Sequence, residues 1–175
     1  MRFVDFLRAT VLLSAGAATT LAVLTLAAAT REQDDRIVFY SMGWWVVAGL
    51  IGAWLGRRNE VNPPIGRLLA DAKTGTMMPE LRPGGTLVNR LWPLLVSVVA
   101  AGALAFVAPQ IPGIAAGFAI IWALAWRRQE SAVRAIEERD GVTFFVDRTS
   151  PFRPIQLMRL PGFRRERPMF DGTGA

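Results

Sequence analysis

Charged side chains are missing from three stretches of the chain, Ala9 to Thr30, Ile37 to Gly56 and Leu91 to Trp126. A hydrocarbon layer of about 30 Å takes roughly 20 helical residues to cross, so each of the first two reads as one transmembrane helix. The third is long enough to cross twice around the turn from Pro109 to Gly113. Its limbs, Leu91 to Ala108 and Ile111 to Trp126, measure about 27 and about 24 Å at ~1.5 Å per residue. Both are slightly short, and snorkelling of Arg90 and Arg127 absorbs the mismatch. The pattern predicts an all-α membrane protein of four transmembrane helices in two hairpins. Residues 1–56 form the first hairpin, 57–90 a connection, 91–126 the second hairpin and 127–175 a basic tail.

The apolar stretches are rich in small residues. Ala9 to Ala29 holds eight Ala, four Thr, one Ser and one Gly. Ser14 with Ala18, Ala15 with Thr19, and Gly16 with Thr20 repeat the small-x-x-x-small spacing that lets a second helix backbone approach closely. Ala48, Gly52 and Gly56, then Ala101 and Ala105, then Gly113 and Gly117 give the other three helices similar faces. Gly16, Gly52, Gly56, Gly113 and Gly117 are therefore the expected helix-packing positions. Trp44, Trp45 and Trp54 beside the glycine line of the second helix form a large-against-small seam able to receive a partner.

Outside these stretches the periodicity changes. After Asn62-Pro63-Pro64, apolar Ile65, Leu68, Leu69 and Ala72 fall at i, i+3, i+4, i+7, the pattern of a short amphipathic helix, here expected on the membrane surface. The following segment to Gly85 is turn-rich without periodicity. Arg127 to Asp140 should carry the fourth helix out of the bilayer, supported by Glu130–Arg134 and Arg134–Glu138 pairs, until Gly141 stops it. Gly141 to Asp147 has strand composition, and Arg153 to Leu160 could return beside it. An isolated hairpin is marginal in water, so it must dock on the connection, on headgroups or on another protein. Phe144, Phe145, Phe152, Ile155 and Leu157 are the expected docking residues. From Gly162 onward the composition is that of a disordered end.

Lys and Arg number 18 on the face that holds both termini, the connection and the tail, against two, Arg31 and Arg36, on the other. The positive-inside rule then places both termini in the cytoplasm, in a bacterial inner membrane. Arg57, Arg58, Arg127, Arg128, Arg164 and Arg165 are expected at lipid headgroups. The net charge of +6 thus reports topology, and nucleic acid is not an expected partner. An alternative reading of the amino terminus is a signal peptide cleaved after Ala27-Ala28-Ala29. Its apolar run of 21 residues is longer than such segments usually are.

The motif Arg57-Arg58-Asn59-Glu60 recurs as Arg127-Arg128-Gln129-Glu130, each copy closing a Trp-bearing hairpin. Remote duplication and two independent stop signals both produce this. Candidate chemistry is sparse. There is no His and no Cys, and no carboxylate falls inside a span, which argues against proton-coupled transport, redox work and intramembrane proteolysis. Glu32, Asp34 and Asp35 could hold a hard cation, but Arg31 and Arg36 flank them. No nucleophile stands beside a base and no phosphate loop follows a strand. No catalytic residue, cofactor or metal ligand is expected.

Trp92-Pro93 opening the third helix, and Pro109 leading into Ile114-Ala115-Ala116-Gly117, make Arg90 to Ala125 resemble the second hairpin of the small four-helix subunit of actinobacterial cytochrome c oxidase. The resemblance covers about a fifth of the chain, and the arginine-rich tail departs from it. It implies a cofactor-free subunit packed against a larger complex. The sequence thus points to a non-enzymatic accessory or scaffold component whose partners are the lipid bilayer and a membrane or cytoplasmic protein. An oligomeric pore or exporter, lined by the threonines of the first helix, is the alternative.

Overall fold

The computed structural model describes residues 1–57, 60–75, 83–147 and 155–161. Phe152, Arg58, Arg164 and Arg165 lie outside them. In chain order the elements are α1 (Phe3–Glu32), α2 (Asp35–Leu55), α3 (Pro63–Ala70), β1 (Lys73–Thr74), α4 (Pro83–Leu104), α5 (Gln110–Trp126), α6 (Gln129–Asp140), β2 (Val142–Val146) and β3 (Leu157–Pro161). Three of the helices, α1, α2 and α4, are long and apolar enough to cross a membrane. The chain is a mainly helical membrane protein.

α5 is the axis of the bundle. It packs along α1 on one side and along α2 on the other, with α4 against α1 and α5. At 17 residues it is the shortest of the four bundle helices, about 26 Å long. Its buried line of Gly113, Ala116, Gly117, Ala119 and Ala123 explains the position, because only small side chains let three helices converge on one. α1 meets it with Ser14, Ala17, Ala18, Leu21 and Thr25. The outward surface is apolar, with Leu12, Val46, Leu50, Val99, Phe118 and Trp122 all exposed. A water-soluble monomer does not carry an apolar surface of that extent, and a bilayer does cover it.

The elements at the Met1 end form a second layer, a basal module. β3 pairs parallel to β1 and antiparallel to β2, giving the order β1-β3-β2. Arg2 bridges Phe145 on the far side of β2, and the Val146 amide donates to the Met1 carbonyl at 3.0 Å. The N-terminus thus covers the edge of β2. One core unites Met1, Phe3, Val4, Phe6 and Leu7 with Ile65, Val133, Val142, Phe144, Val146 and Leu157.

Several expectations are revised here. α1 begins at Phe3, not Ala9, and its first two turns belong to the module core. The amphipathic helix is α3, but Ile65 is only 1% exposed because its apolar face lies on that core. A membrane-surface position would leave the module core open on that side. The turn-rich segment contributes β1, and α4 starts inside the nominal 57–90 connection. The helix does not run on from Trp126: α5 ends there and α6 starts at Gln129. The left-handed Gly141 (φ 62°) ends α6, its amide donating to the Glu137 carbonyl.

Candidate functional site

The two Arg-Arg-amide-Glu motifs meet. Gln129, 2% exposed, accepts the Asn62 amide on Oε1 at 2.9 Å and donates Nε2 to the Glu60 carbonyl at 3.3 Å. Beside it, Arg128 Nη1 donates to the Arg57 carbonyl at 3.0 Å. The chain leaving α2 therefore gains backbone partners from the start of α6. A turn after α2 has unsatisfied backbone groups, and a planar amide with one acceptor and two donors can satisfy both kinds. The break between α5 and α6 aims Gln129 at that turn. At the same corner α2 and α5 come close, since a Cβ on Gly56 would strike the Leu124 carbonyl oxygen.

A second clamp holds the N-terminus. Glu137, 5% exposed, accepts from the Phe144 amide on Oε1 at 2.9 Å and from Arg2 Nη2 on Oε2 at 3.1 Å. One carboxylate thus joins α6, β2 and the residue that precedes α1. Phe3 and Phe6 stack 6.4 Å apart in the module core. Burial holds the Met1 amine below its ordinary value, against a smaller opposing attraction from Asp5.

Among the expected helix-packing glycines, four stand in close approaches. A Cβ on Gly52 would lie 2.9 Å from Leu124 Cβ, one on Gly113 would meet Ser41 and Thr25, and one on Gly117 would overlap the Trp44 indole. Gly56 meets Leu124 as described. Gly16 differs: nothing lies within 4 Å of its Cβ position. α1 turns its Ser14/Ala18 face to α5 and leaves Ala15, Gly16, Thr19 and Thr20 exposed. The Trp seam of α2 is filled from within, with Trp44 Nε1 donating to the Ile114 carbonyl (3.1 Å) and Trp45 Nε1 to the Gly113 carbonyl (2.8 Å). Trp54 alone points outward.

The expected docking set divides. Phe144 and Leu157 are core residues, 3% and 2% exposed, with Ile155 packed against them. They are corrected from docking surface to structural core, because β2 buries every second residue. The opposite face pairs Phe145 with Met158 and Thr143 with Leu160, all four half-buried. Of the expected headgroup arginines, Arg57 and Arg127 are exposed and Arg128 is half-buried. Sequence reasoning missed Gln129, Glu137 and residues 1–7. The repeated motif pointed to the first, and the apolar Phe3-Val4 and Phe6-Leu7 around charged Asp5 could have pointed to the last.

Among the described residues no group of three or more acidic side chains converges as a metal site. Asp34 instead caps α2, its Oδ1 accepting from the Arg36 amide at 3.0 Å. The described residues form an apolar bundle that carries a module whose outer sheet face holds Phe145, Met158 and Leu160. No protein-family model, curated protein or solved structure matches the chain.

Proposed function

We propose that the protein is a non-catalytic, four-span membrane scaffold with both termini in the cytoplasm, presenting the basal module to a protein partner. The outer sheet face of Phe145, Met158 and Leu160 is the docking surface. The observation that carries the reading is the module's construction: its inner face is filled by its own N-terminus, α3 and α6, yet its outer face remains apolar. An apolar face rimmed by charge is the usual form of a protein-binding patch, and here Arg2, which bridges Phe145, and Asp147, just past β2, flank it.

The same core supports an even number of crossings. Residues before α1, between α2 and α4, and after α5 all join it, so each hairpin returns to the side it left. This includes α5, whose length of about 26 Å suits a helix sheltered by its neighbours. The concentration of Lys and Arg at that end supports the cytoplasmic side. The resemblance of Arg90 to Ala125 to an oxidase subunit supports a place within a larger complex. A path lined by Thr10, Thr19, Thr20 and Thr25 is disfavoured, since Thr10 and Thr25 are buried against the bundle and Thr19 and Thr20 face outward. Each of the four donates its hydroxyl to its own helix.

Gentle affinity purification of the full chain, followed by identification of retained proteins, tests the reading. Phe145→Glu with Met158→Glu should release the partner and leave the helices inserted. Undiminished retention by that double variant rejects the docking face.

A further inference from the structure

The end of the bundle remote from the module holds an open groove of about 670 Å³ between the N-terminal halves of α2 and α5, within the range of about 300–1,000 Å³ usual for small-molecule sites. Its walls are mainly apolar. Trp44 and Phe118 meet edge-to-face at 5.5 Å, and the hydrogen bond from Trp44 Nε1 to the Ile114 carbonyl fixes the indole. Ile37, Tyr40 and Ile114 add to the wall, with Ser41 and Gln110 as its uncharged polar members, and Ile114 and Phe118 are exposed towards the surroundings. At the mouth stand Asp34 and Arg36. One oxygen of Asp34 caps α2, and Arg36 is exposed.

We propose that this groove binds one zwitterionic aminophospholipid of the bilayer, an acyl chain lying on Trp44 and Phe118, its phosphate at Arg36 and its ammonium at Asp34. The charge pattern selects the headgroup. The opposite charges of Asp34 and Arg36, both lining the groove, are complementary in sign to the ammonium and the phosphate of one headgroup. A lipid with phosphate and no amine would gain from Arg36 but face Asp34 uncompensated. The apolar wall begins directly beneath, and its opening towards the surroundings gives a chain a lateral route in. The proposal rests on the membrane reading of the bundle and needs no protein partner.

The test uses the purified full-length chain in mild detergent, incubated with equal amounts of phosphatidylethanolamine and phosphatidylglycerol, with retained lipid read by native mass spectrometry. Wild type should keep one phosphatidylethanolamine per chain in preference to phosphatidylglycerol. Asp34→Asn should abolish the preference. Arg36→Gln should lower retention of both about fivefold, the equivalent of ~1 kcal/mol per basic residue at a lipid surface. Ile114→Trp should fill the groove and abolish retention with helicity unchanged by circular dichroism. Equal retention of the two lipids by wild type, no retained lipid, or wild-type retention by Ile114→Trp overturns the proposal. Lipid retention and partner release are separate readouts, so failure of this site and failure of the sheet-face docking are distinguishable.

Discussion

Replacing Glu137 isolates the contribution of the clamp that joins the N-terminus to the sheet. Its carboxylate is buried and accepts from both the Phe144 amide and Arg2. Glu137→Ala leaves that amide in the core without its acceptor. A hydrogen bond to a charged group contributes about 1.5–3 kcal/mol. The half-exposed Arg2 recovers water, so the ion pair adds only about 0.2–1 kcal/mol. Alanine returns a few tenths through helix propensity. The net loss is about 2–3 kcal/mol, which corresponds to a 30- to 150-fold rise in opening at ~1.4 kcal/mol per tenfold. Hydrogen exchange of the segment Val142 to Asp147, followed by mass spectrometry, reads this directly. Glu137→Gln keeps an acceptor for Phe144 and should recover more than half of the protection. Wild-type exchange in both variants would refute the clamp, and equal loss in both would show that charge alone matters.

Other perturbations separate the remaining contacts. Gln129→Ala removes the partner of the Asn62 amide and the Glu60 carbonyl and should cost about 2 kcal/mol, read as a lower melting temperature in detergent and faster proteolysis of the 57–63 turn. Gly56→Ala sets a methyl against the Leu124 carbonyl oxygen and should destabilise the bundle by about 1–3 kcal/mol; Gly16→Ala meets nothing and should be neutral or stabilising by up to about 1 kcal/mol. Identical melting temperatures for these two variants would contradict the packing. The Met1 amine is held below its ordinary value of 8.0, so the unfolded chain binds its proton more readily than the folded one. This contribution to stability is therefore lowest in acid, rises with pH through the folded value and levels off above about 8. Melting curves from pH 6 to pH 9 should show that rise, and N-terminal acetylation should remove it.

Much of the architecture was legible because local pattern and local structure agree. Charge-free runs mark the bundle, the Pro63-Pro64 start and apolar spacing mark α3, and Val142 to Val146 has both strand composition and strand form. What stayed hidden depends on contacts between distant residues. Phe144 and Phe145 are equivalent in composition, and only the pairing with β3 decides that one is core and the other outer face. Gly16 and Gly52 have the same small-residue spacing, yet only Gly52 faces α5. The repeated Arg-Arg-amide-Glu motif was visible, but that the second amide serves the first motif's backbone follows from α2 and α5 packing side by side. The role of the first seven residues has no local signature, because a short apolar lead into a span has no periodicity of its own.

Those seven residues set what a cleavage after Ala29 would cost the fold. Cleavage after Ala29 would remove Phe3, Val4, Phe6 and Leu7 from the module core. Burying four such side chains contributes about 6–12 kcal/mol at ~1.5–3 kcal/mol each, an upper figure but comparable with the whole stability of a small domain. The Met1 carbonyl would also be lost to the Val146 amide, and Glu137 would remain buried without Arg2. A module built this way cannot survive loss of α1, so the mature chain should retain residues 1–29, and peptide mapping of the mature chain by mass spectrometry should recover that segment. The same dependence explains why point substitution on the sheet's outer face tests partner docking better than removal of the tail. Deleting Val142 to Ala175 would strip Phe144, Val146 and Leu157 from the core, and loss of a partner would then report collapse instead of contact. A processed chain that still protects the Phe144 amide from exchange would refute this account of the module.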